Sequence, residues 1–156
     1  MSQRGKKVIV VGTLHEQQMI EGVGTIFEER LRSYIRRSNV SIVIEEWKFD
    51  DDQTLGKRLA DDLAIAWRNA GTPKQEEFET YGPCPLWLDS SCVTERPYGP
   101  IEAQVRRESY MIDRICAEMT DHTAGLFICG IAHLHSISEK LHQVGYKVEG
   151  VSCLGD

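Results

Sequence analysis

Two stretches of the sequence each consist of an apolar run that ends in a Gly-x-x-His turn. The first, VIVVGTLH, ends at His15, and the second, LFICGIAH, ends at His133. Continuous apolar runs are typical of strands that are buried on both faces of a parallel sheet. A glycine at a strand exit supplies either a positive φ or room for a close backbone approach. Because ligands bind outside the carboxyl ends of such strands, the two runs predict an α/β fold with two histidines at one edge of the sheet.

Hydrophobic periodicity along the chain predicts an alternation of strands and helices around these two runs. The predicted strands are 7–12, 40–45, 126–130 and 146–152, and the predicted helices are 25–37, 54–69, 100–119 and 136–145. Ser136-x-x-Glu139 is a capping-box pattern that opens the last helix, and Gly145 ends it. The order predicts a compact single domain over 1–156, with a mostly parallel central sheet and helices on both faces.

The segment 71–100 differs from the rest because it contains all five prolines of the chain. A long irregular connection inside a small domain is usually a lid, a binding loop or an insertion. We therefore expect a Pro-rich loop or lid between the second and third helices.

Composition limits the classes of partner. The 156 residues are 41% hydrophobic and carry a formal net charge of −6, which is unfavourable for a nucleic-acid or membrane-surface partner.

No apolar stretch is long enough to span a bilayer, and the N-terminal MSQRGKK lacks the apolar region of a signal peptide. The five cysteines show no C-x-x-C pair, so reduced thiols and a cytoplasmic location are expected. The sequence leaves a homodimer open.

Five candidate site residues lie at or just after the ends of predicted strands: His15, Glu45, Glu46, His133 and His135. Imidazoles and carboxylates are ligands for zinc, manganese, cobalt or iron, and the candidate metal ligands are His15, Glu45, His133 and His135. Without a metal, a glutamate could orient a histidine that acts as general base. The third alternative is that these are hydrogen-bonded loop residues without a chemical role. The sequence does not decide between a metal site, a glutamate–histidine pair and this structural interpretation.

The two adjacent glutamates cannot both face one side of a regular strand, because neighbouring residues on a strand point to opposite faces. We favour Glu45 for the site and keep Glu46 as a second partner, which requires the strand to have broken by then. Arg107, on the predicted helix 100–119, is a candidate clamp for an anion or a partner for the glutamate, since buried carboxylates are costly without a cation. The alternatives are its neighbour Arg106 and a solvated helix face.

Taken together, the motifs resemble those of the superfamily that groups TraB/Tiki proteins with erythromycin esterase-like and ChaN-like proteins. Gly12–His15 and Gly130–His133 resemble its two Gly-x-x-His motifs, and Glu45-Glu46 resembles its glutamate pair. Arg107–Met111 is similar to the Arg-Asp-x-x-Met helix segment of ChaN-like members. The chain is shorter than most of these proteins, and no histidine is expected in them at the position of His135.

The resemblance implies a site of His15, Glu45, Arg107 and His133. Its members include metal-dependent peptidases, a lactone-cleaving esterase that works without metal, and an iron- or haem-associated protein. We therefore expect a small cytosolic hydrolase, metal-assisted, that acts on the ester or peptide bond of a small-molecule or peptide substrate. The alternative is a non-catalytic module of the same fold that binds a ligand, a metal or haem. A nucleotide-binding domain is disfavoured because G-x-G-x-x-G and P-loop patterns are missing from the sequence.

Overall fold

A five-stranded parallel sheet forms the centre of the computed structural model, which describes residues 3–14, 18, 25–47, 54–71 and 100–152. The strands are β1 (Lys7–Thr13), β2 (Ile42–Glu45), β3 (Ala66–Asn69), β4 (Ala124–Gly130) and β5 (Lys147–Ser152). Their order across the sheet is β3-β2-β4-β1-β5. The described helices are α1 (Ile26–Arg37), α2 (Leu55–Asp62), α3 (Pro100–Glu118) and α4 (Leu134–Val144). The α/β class and the parallel sheet predicted from the sequence are therefore confirmed.

The helices cover both faces of the sheet, and each strand contributes alternate residues to the two resulting cores. In β4, Phe127 and Cys129 belong to the core that includes residues of α3 and α4. Leu126 and Ile128 of the same strand belong to the core that includes residues of α1 and α2. This alternation explains why the strands appear in the sequence as continuous apolar runs.

The register brings three strand ends to one edge of the sheet. Thr13, the last residue of β1, lies opposite Gly130, the last residue of β4. Glu45, the last residue of β2, lies opposite Ile128. The residues that follow β1, β2 and β4 therefore emerge side by side.

The predicted helix 54–69 is wrong in its second half. The helix α2 ends at Asp62, and the chain then turns through Ala64, which has a φ of 56°, into strand β3. Leu55 and Leu59 face the core at helical spacing, and Trp67 continues that spacing only by coincidence. The usual glycine stop signal is missing because an alanine occupies the left-handed position. Pairing of β3 with β2 decides the conformation of this segment.

The predicted start of the last helix is also wrong. A 3-10 turn (Ile131–His133) leads directly into α4, and Ser136 lies within the helix instead of capping it. The end is as predicted, because Gly145 has a φ of 118° and closes the helix. None of the described helices has the length and apolar character needed to cross a membrane. The predicted Pro-rich loop or lid spans 71–100, and all of it except the two end residues lies outside the described residues.

Candidate functional site

A pocket of about 300 Å³ lies at the edge of the sheet where β1, β2 and β4 end. Thr13 and Leu14 reach it from β1, and Glu46 reaches it from β2. The turn after β4 contributes Gly130, Ile131, Ala132 and His133, and α3 contributes Arg107. The pocket therefore occupies the position at which open parallel sheets bind their ligands.

His133 is a buried residue at the end of the 3-10 turn, with 7% of its surface exposed. Its Nδ1 lies 2.7 Å from Oε2 of Glu108. Its Nε2 lies 3.5 Å from Oε2 of Glu46, at the wall of the pocket. One ring nitrogen is therefore held by a carboxylate, and the other is directed toward the second carboxylate.

Glu108, which the sequence analysis did not single out, is the residue that orients this imidazole. It is 2% exposed, and its carboxylate accepts hydrogen bonds from Ser136, Lys140 and Gln104 in addition to the contact with His133. Burial by itself raises the pKa of Glu108, but the hydrogen bonds from these four residues outweigh it and lower the pKa to about 2. An ionised carboxylate only accepts hydrogen bonds, so the proton between the two side chains resides on Nδ1 of His133. In the neutral imidazole, Nε2 then carries the lone pair.

A sequence signal for Glu108 was present in the helix. Apolar residues at 101, 105, 112, 115 and 119 predict one buried stripe on the helix 100–119, and position 108 completes its alternating spacing of four and three. A glutamate inside an apolar helix stripe is unusual, because charged groups are rarely fully buried without a partner. Met111 and Ile115 of the same helix are buried in the core, whereas Val105 is 48% exposed. The stripe therefore contains Glu108, the charged residue that binds His133, and it also contains Val105, an apolar residue that is not buried.

Glu46 is the carboxylate that lines the pocket, and it is 5% exposed. Its Oε2 accepts a hydrogen bond of 2.8 Å from Arg107, and its Oε1 accepts one of 2.9 Å from the backbone N–H of Gly130. Arg107, whose side chain is 18% exposed, therefore lies against a glutamate, in one of the two roles that the sequence suggested. These contacts fix the exits of β2 and β4 to α3.

Glu45 lies on the other face of the sheet and does not line the pocket. Its side chain is fully buried and accepts hydrogen bonds from Thr54, Trp67 and Gln18, at 2.6 to 2.9 Å. Burial raises the pKa of Glu45, and the three hydrogen bonds offset this only in part. The sequence preference for Glu45 over Glu46 is therefore reversed by the structure. The reason is side-chain alternation, because Ile42 and Ile44 face α3 and α4, and Glu46 continues their direction.

One predicted site residue, His135, is not part of this cluster. His135 has a side chain that is 87% exposed, and its Nε2 lies 3.4 Å from Glu139 on the surface of α4. The structure therefore does not bring His135 to the pocket. His15, the end of the first Gly-x-x-His motif, lies outside the described residues.

The two Gly-x-x-His glycines have different roles. A Cβ at Gly12 would lie 3.1 Å from the side chain of Leu134 and 3.2 Å from the Cα of Ile131, so this glycine permits a close approach. A Cβ at Gly130 would meet only ordinary contacts of 3.6 Å or more, at a φ of −60°. The similar motifs therefore do not reflect a shared backbone requirement.

Two donor atoms at the pocket are suited to a divalent metal. Nε2 of His133 and Oε2 of Glu46 are both acceptors when Nδ1 holds the proton, so a cation or a water between them would satisfy both. Imidazole and carboxylate are suitable donors for the metals named above. Within the described part of the chain, no group of three or more histidine, cysteine, aspartate or glutamate side chains is placed to bind a metal. The described residues therefore offer two donors of the right type, and a further ligand has to come from elsewhere.

Among the residues that the structure describes, neither the hydroxyl of Thr13 nor the thiol of Cys129 is set up as a nucleophile. Thr13 donates its hydroxyl to the carbonyl of Cys129, at 3.0 Å. Burial raises the pKa of the Cys129 thiol, and the nearby Glu46 and Glu108 charges raise it further, which disfavours the reactive thiolate. Among the described residues, the arrangement favours activation of a water molecule over formation of a covalent intermediate.

No family model, curated protein or solved structure matches the chain. What the pocket can do therefore follows from its own residues, namely an oriented imidazole and a carboxylate–arginine pair beside a volume of about 300 Å³.

Proposed function

We propose that the protein is a small hydrolase that cleaves an ester or peptide bond, with His133 as the general base that activates water. The observation that carries the proposal is the Glu108–His133 pair, in which Nδ1 is bound to a buried carboxylate and Nε2 is directed to the pocket. Such a pair holds the imidazole in one orientation and stabilises the imidazolium that forms during proton transfer. A positioned base of this kind contributes about 10²–10⁴-fold to the rate.

The proton path uses only groups that line the pocket or touch His133. Water attacks the substrate carbonyl while Nε2 of His133 takes its proton, and the leaving group then receives that proton from the imidazolium. Glu108 remains a carboxylate throughout and stabilises the positive ring. Arg107 lines the same pocket, where its positive charge favours the negative charge that develops on the carbonyl oxygen.

A second version of the proposal includes a divalent metal, and in that version Nε2 of His133 is a metal ligand instead of the general base. His133 and Glu46 would hold the metal, with His15 proposed from the sequence as a further ligand. A bound metal would polarise the carbonyl and lower the pKa of a coordinated water. The chemistry of the donor atoms supports zinc, manganese, cobalt or iron. Any such cation would compete with Arg107 for the carboxylate of Glu46.

We also propose kinship with the TraB/Tiki, erythromycin esterase-like and ChaN-like superfamily. The support is the order of the motifs along the chain, together with the placement of Glu46, Arg107 and His133 around one pocket. The location that we propose is the cytoplasm.

The activity is tested with a panel of ester and peptide substrates and two matched histidine variants. We expect His133→Ala to lose at least about 100-fold in kcat/KM, because general-base catalysis is removed. His135→Ala is the control, since His135 lies only two residues further along, in the first turn of α4, but is exposed, and we expect its activity to equal that of the wild type. Equal activity of the two variants would exclude His133 as the base. Saturable binding of a ligand, metal or haem without turnover would instead support the non-catalytic alternative.

Metal content is measured separately, on protein purified without a histidine tag. We expect near-stoichiometric divalent metal in the wild type and its loss in His15→Ala and in His133→Ala, because two histidine ligands are removed in turn. The variant His135→Ala is expected to retain the metal. Activity without any bound metal would leave only the metal-free version of the mechanism.

A further inference from the structure

The two oxygens of Glu108 bind different sets of donors. Oε2 contacts Nδ1 of His133 at 2.7 Å and the side-chain amide of Gln104 at 3.3 Å. Oε1 accepts hydrogen bonds from the hydroxyl of Ser136 at 2.7 Å and from the ammonium group of Lys140 at 3.0 Å. Oε2 therefore orients His133, and Oε1 is held by Ser136 and Lys140. The structure gives no contact of either residue with His133 itself.

The spacing along the chain places the base and these two donors together. Position 136 follows position 133 by three residues, and position 140 follows 136 by four, which is the spacing of one helix face. The 3-10 turn and α4 thus carry His133, Ser136 and Lys140 along one line, and Glu108 reaches them from α3. The carboxylate joins the two helices at the back of the pocket.

We propose that Ser136 and Lys140 are positioning residues for His133. They hold Oε1 of Glu108, so that Oε2 stays on Nδ1 and the imidazole keeps its proton on the nitrogen that faces away from the pocket. This inference rests on the proposed function only in treating His133 as the base, and its structural part is tested without any activity.

The physical reason is the weak torsional preference of a carboxylate. The terminal torsion of a glutamate side chain has a broad minimum, so one hydrogen bond does not fix the plane of the group. Two donors on the distal oxygen fix it, and Lys140 also supplies the positive charge that a buried carboxylate requires. Without these donors the carboxylate can turn away from Nδ1, and the imidazole can adopt the tautomer with the proton on Nε2. That tautomer has no lone pair directed toward the pocket and cannot accept a proton there.

The tautomer of His133 can be read directly from the nitrogen chemical shifts of its imidazole by NMR, at a pH at which the ring is neutral. We expect the wild type to show the proton on Nδ1. Ser136→Ala, Lys140→Met and the double variant are expected to show increasing amounts of the other tautomer. Lys140→Arg restores a cationic donor and is expected to restore the wild-type spectrum. Lys57→Met is the control, because Lys57 pairs with the exposed Asp61 on α2 and is not in contact with the site.

The kinetic counterpart uses the same variants. Residues that orient a histidine from behind typically contribute 10- to 100-fold, so we expect kcat of Lys140→Met to fall about tenfold while KM changes less than about twofold. Rescue by Lys140→Arg separates positioning from a general loss of packing. An unchanged tautomer in the double variant, or a wild type with its proton on Nε2, overturns the inference. If the tautomers behave as expected but no substrate is hydrolysed, the inference stands and the proposed function fails.

Discussion

At the scale of single residues, each of the two carboxylates beside His133 has its own cation. Glu46 is bound by Arg107, and Glu108 is bound by Lys140. Since a buried carboxylate is costly without a compensating charge, these pairs allow two acidic groups to lie on either side of one imidazole. His133 is thereby held between Glu108 and Glu46, with its two ring nitrogens in different environments.

The charge on Glu108 makes the stability of the fold depend on pH. Its pKa is about 2 in the folded protein and 4.5 as its ordinary value, so its stabilising effect is complete above about 4.5. The effect is lost as the pH falls through about 2, because the carboxyl group is then protonated in both states. We expect Glu108→Gln to lower the free energy of unfolding by about 2 kcal/mol at pH 7, a typical value for hydrogen bonds to a charged group.

Urea unfolding at several pH values measures this dependence. The difference between Glu108→Gln and the wild type is expected to shrink as the pH is lowered from 4.5 to 2. Glu139→Gln, an exposed glutamate on α4, is expected to match the wild type throughout. A difference that stays constant down to pH 2 would contradict the assigned pKa.

At the scale of the elements, the segment 54–69 shows how a helix and a strand can share one apolar pattern. Leu55 and Leu59 are buried on α2, and the chain reverses at Ala64 before β3 adds to the edge of the sheet beside β2. Trp67 of β3 then donates a hydrogen bond to Glu45 at the end of β2. The break between the two elements therefore places a donor on a buried carboxylate.

The left-handed conformation of Ala64 gives a prediction for this turn. An L-residue in that region is less stable than glycine by about 1 kcal/mol, so Ala64→Gly is expected to raise the free energy of unfolding by roughly that amount. Ala117→Gly, at an exposed position in the last turn of α3, is expected to lower it, because glycine is a poor helix former. Chemical denaturation of the two variants gives both values. Equal destabilisation by both would mean that residue 64 does not need a left-handed backbone.

At the scale of the whole molecule, the site depends on how closely the strand exits approach each other. The last residues of β1 pack against the 3-10 turn and the start of α4, with Gly12 beside Ile131 and Leu134. The same 3-10 turn ends in His133. The position of the base is therefore coupled to the packing of β1.

This coupling predicts different costs at the two Gly-x-x-His glycines. Gly12→Ala is expected to destabilise the fold by about 2 kcal/mol, since overpacking a tight contact typically costs 1–3 kcal/mol. It is also expected to reduce activity by displacing the 3-10 turn. Gly130→Ala is the matched comparison and is expected to cost less in stability, because its new Cβ meets only ordinary contacts. Thermal unfolding of both variants shows which substitution destabilises the fold more. A larger loss of stability in Gly130→Ala than in Gly12→Ala would contradict the packing argument.

The sequence by itself determined the class of fold and the edge at which the pocket lies. Buried parallel strands require continuous apolar runs, and such runs can be recognised locally, as in Val8–Val11 and Leu126–Cys129. The position of His133 just after a strand and the helix that carries Arg107 could also be predicted, because each depends on a pattern of neighbouring residues.

Only the tertiary structure decided which side chains meet. Glu46 rather than Glu45 faces the pocket, because α3 and α4 lie on the face to which Glu46 points, and a strand does not specify which helices will cover each face. Glu108 becomes the partner of His133 because α3 and α4 pack together, although the two residues are 25 positions apart. The strand β3 forms because the edge of β2 offers hydrogen bonds that a helix would leave unused. In each case the deciding interaction joins distant parts of the chain, and no local pattern contains it.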